Sequence, residues 1–347
     1  YSGGSIRGLF AQIENVLKPR FWKMLYEIVH FYKEGRLILK NDITPDLSLG
    51  KYLEEQHYSD TFIHDHLLPM AAAIWSAPAE TLKSHPLHSF LKFCDNHGLI
   101  QLANRPQWRT VTGGSREYVQ KILPSSSNKL CLNSSIVNIL RSGNQVKLEN
   151  RDGTSAAFDH VIIATHADQA LKLLKNPTPE EVQLLGSFRY QRNQAILHSD
   201  TRMMPLRRRV WSSWNYMNQN LESDRSHVYV SYWMNRLQNL NTTIPLFVTL
   251  NPPELPHTST IHRSFLYQHP IFDHQSILAQ PKLWKIQGQR NTWYCGSYFG
   301  SGFHEDGIQS GLAVAEALGK VRRPWKIENE SGRIALPPNW NPPNNAA

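Results

Sequence analysis

Cysteine is scarce in this chain. Cys94, Cys131 and Cys295 are the only three in 347 residues. The number is odd and too small for a disulfide framework, so a reducing, cytoplasmic compartment is expected. No run of about 18 apolar residues occurs, which leaves no candidate for a bilayer-spanning helix. A Gly-x-Gly-x-x-Gly turn is missing, and so is the acid expected about 20 residues after it, the pair by which a strand-turn-helix holds a dinucleotide. No zinc-finger, RRM or KH signature and no His-Glu-x-x-His spacing appears, which argues against nucleic acid and against a metal. The first residues, Tyr1-Ser-Gly-Gly, carry neither a start Met nor a signal-peptide pattern, and they read as a cut inside a longer protein.

What is present is a core former. Hydrophobic residues make up 40% and charged residues 19%, a balance that excludes a disordered chain. Ten Trp, 13 Tyr and 13 Phe suit a pocket for flat or apolar ligands. The length fits two domains. The net charge of +9 permits an anionic partner, including a membrane surface met peripherally. Its densest cluster is Arg207-Arg208-Arg209.

The apolar spacing predicts helices over 9–35, interrupted or restarted at Pro19, then over 47–56, 60–75 and 86–97. Ser59 or Asp60 can cap the third, and Gly98 can end the fourth. A short β-prone stretch at 108–112 and a Gly113-Gly114-Ser115 turn lead into a helix to Ile122. Strands are predicted at 130–132, 136–140 and 146–149, then a buried strand at 158–164 and a helix over 168–174. Further strands at 194–198, 209–214, 227–234 and 260–267 suggest a second, mostly antiparallel sheet. A strand at 292–295, a glycine-rich loop and a helix over 307–318 follow, then a Pro/Asn-rich tail from Pro324 read as loosely ordered.

The segment from Trp293 to Leu318 carries the chemistry. A strand end, Gly296, Gly300 and Gly302, and a helix rich in small residues bring main chain close to a ligand. Free N–H groups and the positive dipole end at the helix start favour a group that develops negative charge. This segment resembles the C-terminal FAD motif of the flavin-containing amine oxidase superfamily. Runs such as Arg105-Pro-Gln-Trp-Arg-Thr-Val-Thr-Gly-Gly-Ser-Arg-Glu-Tyr-Val119 and Gly302-Phe-His-Glu-Asp-Gly307 resemble a subgroup of predicted NAD/FAD-binding oxidoreductases over nearly the whole chain.

The resemblance implies FAD as cofactor. By position it assigns cofactor contacts to Gly296 and Ser297, Gly302, Phe303, His304 and Glu305, with Asp306 and Gly307 at the helix start. It places Ala164 and Thr165 at a second strand end beside FAD, and gives Ile136 a backbone contact to adenine. It also implies the fold: α/β (α+β), with an FAD-binding Rossmann-like domain lacking its N-terminal βαβ motif and a substrate domain of antiparallel sheet and helices. The corresponding division is 1–104 (mainly helical, substrate domain), 105–180 (FAD domain), 181–282 (substrate-domain sheet), 283–322 (FAD domain) and 323–347 (tail).

The position where amine oxidases commonly carry a Lys falls on Asn193 or Gln194, which departs from that chemistry. Flavin itself takes the hydride, so no protein base is obligatory. His304 and Glu305 are the candidate catalytic groups. The expected substrate is a small, apolar, fatty-acyl-like molecule. A true amine oxidase and a non-catalytic flavin-fold binding module are the alternatives. Of the other polar residues, His97, His166 and His198 are expected as satisfied polar side chains and Cys295 as a buried strand thiol.

Overall fold

Pro19 opens a helix rather than breaking one. At the first position of the 23-residue helix Pro19–Asn41 its missing N–H is one that no carbonyl would have taken. The computed structural model describes residues 6–41, 47–75, 82–103, 107, 109–125, 129–219, 227–337 and 340. Its strands are β1 (Ile136–Ser142), β2 (Gln145–Asn150), β3 (Ser155–Phe158), β4 (Val161–Ile163), β5 (Arg189–His198), β6 (Trp214–Gln219), β7 (His227–Trp233), β8 (Phe247–Leu250), β9 (Ile261–Ile271) and β10 (Thr292–Tyr294). Two compact units form, one from residues 1–128 and 191–269, the other from 129–190 and 270–347. No helix of the described residues is long and apolar enough to cross a membrane.

In the first unit the Pro19–Asn41 helix buries Phe21, Met24, Phe31, Tyr32 and Ile38 along one stripe. Helices Leu49–Glu55 and Asp60–Phe62 begin at Ser48 and Ser59, whose hydroxyls accept from Lys51 and Phe62 amides. The chain then widens into a π-turn at Ile63–Leu67 before the helix Leu68–Trp75. Tyr58 and Phe62 stack at 4.8 Å, and Phe31 joins them at 5.5 to 5.8 Å.

The five-stranded sheet of this unit has the order β6-β7-β8-β5-β9. It is antiparallel where β6 meets β7, β7 meets β8 and β5 meets β8, as the sequence suggested. The predicted strand at 209–214 is corrected. Arg208–Val210 forms a 3₁₀ turn and pairing starts at Trp214. Tertiary bonds decide this: Arg207 and Arg209 both donate to the Ala11 carbonyl, and Trp211 Nε1 donates to Pro205 O at 2.7 Å. Strand β8, four residues long, carries no sequence pattern that predicts it.

The second unit holds an antiparallel meander β1-β2-β3 and a parallel pair β10-β4. Its core gathers Ile163, Leu185, Phe188, Leu283, Ile286, Tyr294, Phe299 and Ala313. The single strand predicted over 158–164 is two strands. Exposed Asp159 and His160 turn between β3, which pairs antiparallel, and β4, which pairs parallel. Leu130–Leu132 is no strand; Leu130 and Leu132 are exposed. Trp108 lies outside the described residues, and 109–112 forms no strand.

The tail is not loose where it is described. Arg323 is buried against Glu316, Ile334 enters the core, and Trp284 Nε1 donates to Ala335 O at 2.7 Å. Pro338 and residues 341–347 lie outside the described residues.

Candidate functional site

β4 and β10 run side by side in the register Val161 to Thr292, Ile162 to Trp293 and Ile163 to Tyr294. The Cys295 amide extends the pairing by donating to Ile163 O at 3.2 Å. Both strands therefore end together, and Ala164 and Thr165 emerge beside Gly296. This carboxyl end of parallel strands is where open α/β sheets take ligands.

Gly296 has φ +154°, and a Cβ there would stand 2.8 Å from the Tyr298 ring and 3.5 Å from the Thr165 carbonyl. Only glycine lets the main chain pass so close. Ser310 Oγ accepts from the Gly296 amide at 3.0 Å and reaches back to the Gly296 and Gly307 carbonyls at 3.1 and 2.9 Å. The strand end is thus pinned to the helix that follows.

That helix runs His304–Gly319, three residues earlier than expected from its glycine. Asp306, fully buried, organises its start. Asp306 Oδ2 accepts from the Ser301 and Phe303 amides at 2.9 and 2.8 Å, and Oδ1 accepts from Arg333 Nε at 2.7 Å. Gln280 Nε2 donates to the Tyr298 and Gly300 carbonyls. The turn is thereby held from both sides at the start of the helix. His304 and Glu305 side chains are exposed, and Glu305 accepts from Gln309 at 2.9 Å.

The structure thus gathers Ala164, Thr165, Gly296, Ser297 and the run Gly302–Gly307 around two strand ends and one helix start. Ile136 is the first residue of β1, opposite Asn150 on the three-stranded sheet, and packs against the core of this unit. Ser310, Gln280 and Arg333, which fasten the turn, were not singled out as site residues in the sequence. Arg333 lies 27 residues from its partner, too far for any local pattern to flag.

Burial sets the local ionisation. It pushes the Cys295 thiol up to about 11 and the Tyr190 phenol up to about 12. Cys295 is therefore a buried thiol, as expected. Tyr190 stacks on His166 at 4.3 Å and its hydroxyl accepts from the Ala167 amide. His166 Nδ1 and the Tyr298 hydroxyl are buried polar atoms with no partner among the described residues, so His166 is not the satisfied side chain expected. His97 is satisfied, its Nδ1 lying 2.8 Å from Phe93 O. His198, also satisfied, lies 2.7 Å from Thr249 Oγ1. In the first unit Asn193 is buried between His269 and Asn251, and Gln194 is exposed.

A profile of the flavin containing amine oxidoreductase family matches residues 30–204, and the chain belongs to that family. Its members are flavin-dependent oxidoreductases that act on small molecules. No curated protein sequence matches significantly. Solved structures share the fold. A fatty acid isomerase from P. acnes that produces CLA is 14% identical with a TM-score of 0.52, over 80% of this chain and 70% of that one. Putrescine oxidase bound to putrescine is 12% identical with a TM-score of 0.56, over 87% and 76%. Cyclohexylamine oxidase from Brevibacterium oxydans IH-35A is 13% identical with a TM-score of 0.52, over 84% and 75%. At these identities the likeness concerns the fold alone.

Proposed function

We propose that the chain is part of an FAD-dependent oxidoreductase that moves a hydride between a small apolar, fatty-acyl-like substrate and the flavin. The observation that carries the reading is the Gly296–Gly307 turn. A Cβ would close its approach, and it delivers helix-start amides next to the ends of two parallel strands. Such a place suits an isoalloxazine edge, because flavin accepts a hydride and gains negative charge on that edge.

In this reading the main chain at Ala164, Thr165, Gly296 and Ser297 lies along the cofactor. Gly302, Phe303, His304, Glu305 and Gly307 form its ring-side wall, and Ile136 meets the adenine. The second unit is the flavin domain, and the first, with its helices and antiparallel sheet, is the substrate domain. The unpartnered His166 Nδ1 at the end of β4 is a polar group left for such a ligand. Asp306 does not touch the flavin through its carboxylate, which the Ser301 and Phe303 amides and Arg333 already occupy; it positions the turn. Asn193 or Gln194 in place of a Lys supports an apolar substrate over an amine.

The test is expression of the full-length protein and measurement of flavin absorbance in the purified material, with the released cofactor identified by chromatography. Bound FAD that is bleached by an acyl substrate but by no monoamine or polyamine is the expected result. Colourless protein that takes up no added FAD sinks the flavin reading, and bleaching by amines alone sinks the substrate reading.

A further inference from the structure

The three most exposed large apolar side chains among the described residues are Leu206 at 104%, Leu17 at 85% and Ile13 at 78%. Isolated exposed apolar residues are ordinary, but these are not scattered. The short helix Ile6–Leu9 packs on the Arg208–Val210 turn, and Arg207 and Arg209 both donate to the Ala11 carbonyl. The fold thus fastens the 206–209 loop to the chain just ahead of Ile13. Trp22, half exposed, folds back to donate from Nε1 to Val16 O at 2.8 Å.

The charge around these side chains is predominantly positive. Residues 12–23 and 206–209 hold Lys18, Arg20, Lys23, Arg207, Arg208 and Arg209 against a single carboxylate, Glu14. Of the six, Lys23 alone has a carboxylate within 4 Å among the described residues, Glu27 at a loose 3.9 Å, and Asp65 shares a cavity with Lys18 and Arg20. The Arg207 and Arg209 guanidiniums are bound by a neutral carbonyl, so their charge stands uncancelled. Lys18 and Arg20 also line a cavity of about 290 Å³ with Asn15, His64, Asp65 and Tyr216.

We propose that this face docks on an anionic lipid bilayer. Exposed Ile, Leu and Trp gain by entering the boundary between headgroups and acyl chains, and the surrounding Lys and Arg meet the anionic headgroups. A nucleic acid would use the charge but not the leucines. A second copy of this chain would set six positive charges against six more. The bilayer uses both features, and it asks for no spanning helix. The proposal does not depend on the flavin reading.

The test is flotation of the full-length protein with vesicles of phosphatidylcholine alone and of phosphatidylcholine with a minority of phosphatidylglycerol. Binding is expected on the second and weak or none on the first, and raised salt should weaken it. The variant Ile13→Ser/Leu17→Ser/Leu206→Ser alters only exposed side chains and should keep the wild-type melting temperature while losing most vesicle binding. Lys18→Gln/Arg20→Gln should lower partitioning on the order of tenfold or more. The proposal is overturned if the wild type does not float with anionic vesicles, or if the triple Ser variant floats as well as wild type. It is equally overturned if wild type binds single-stranded DNA as tightly as it binds anionic vesicles, or if the triple variant turns a dimer into a monomer in light scattering.

Discussion

Arg333 Nε donates to Asp306 Oδ1 at 2.7 Å, and the other oxygen of Asp306 takes the Ser301 and Phe303 amides. One buried carboxylate therefore joins the C-terminal segment, the glycine-rich turn and the start of the His304–Gly319 helix. Asp306→Ala should cost about 3 kcal/mol of stability, because two amides and a guanidinium lose their acceptor at once. Arg333→Gln should cost less, since Arg333 is partly exposed and water can replace it. Urea unfolding of both variants measures the order, and equal losses would contradict it.

Gly296→Ala places a methyl group 2.8 Å from the Tyr298 ring, and the strand end must move. A loss of about 2 kcal/mol is expected. The ratio of flavin absorbance to protein absorbance should fall further than stability alone explains. Gly143→Ala, in the β1-β2 turn with nothing within 4 Å, is the control. It meets only the strain of its own positive φ, and it should retain flavin fully.

His198, buried on β5, lies 2.7 Å from Thr249 Oγ1 on β8, which in turn meets Ser231 on β7 at 2.7 Å. Burial lowers its pKa to about 4; nearby Asp200 works in the opposite direction and His262 in the same one. Below about pH 6.5 the unfolded chain takes up a proton on this His that the folded chain refuses. Stability is therefore fully present above pH 6.5 and falls as the pH drops towards 4, by at most about 3 kcal/mol. Unfolding curves between pH 7 and 4.5 should show this slope, and His198→Gln should flatten it.

Cys131 is exposed, while Cys94 and Cys295 are buried. Burial raises the Cys295 thiol to about 11, and it raises Cys94 further still. Iodoacetamide at neutral pH should label Cys131 quickly and the other two only after unfolding. Peptide mass spectrometry of briefly treated protein reads this out, and early labelling of Cys295 would contradict its placement.

Much of the helical part was legible because its signals are local. Pro19 as a break or restart, Ser59 or Asp60 as a cap and Gly98 as a stop each act within one turn of chain, and the structure takes the restart, Ser59 and a Gly98 at φ +65°. The glycine spacing at 296–302 announced a close approach of main chain for the same reason. The strand expected over 209–214 gives way at its start to the Arg208–Val210 turn, because that turn depends on the Ala11 carbonyl, nearly 200 residues away. Strand β8 is not legible in the sequence, because four residues, Phe247–Leu250, carry too little pattern. Its pairing with β5 and β7 makes it a strand.

Sequence by itself determined the periodic apolar faces, the caps, the glycine-rich turn and the excess of positive charge, since each depends on neighbours within a few bonds or on composition. The tertiary structure alone decided which strand ends meet, that Asp306 is taken up by Arg333, and that Arg207 and Arg209 anchor to Ala11 beside exposed Ile13 and Leu17. Those contacts join residues far apart in the chain. They form only because burying the two cores offsets the entropy of bringing distant segments together.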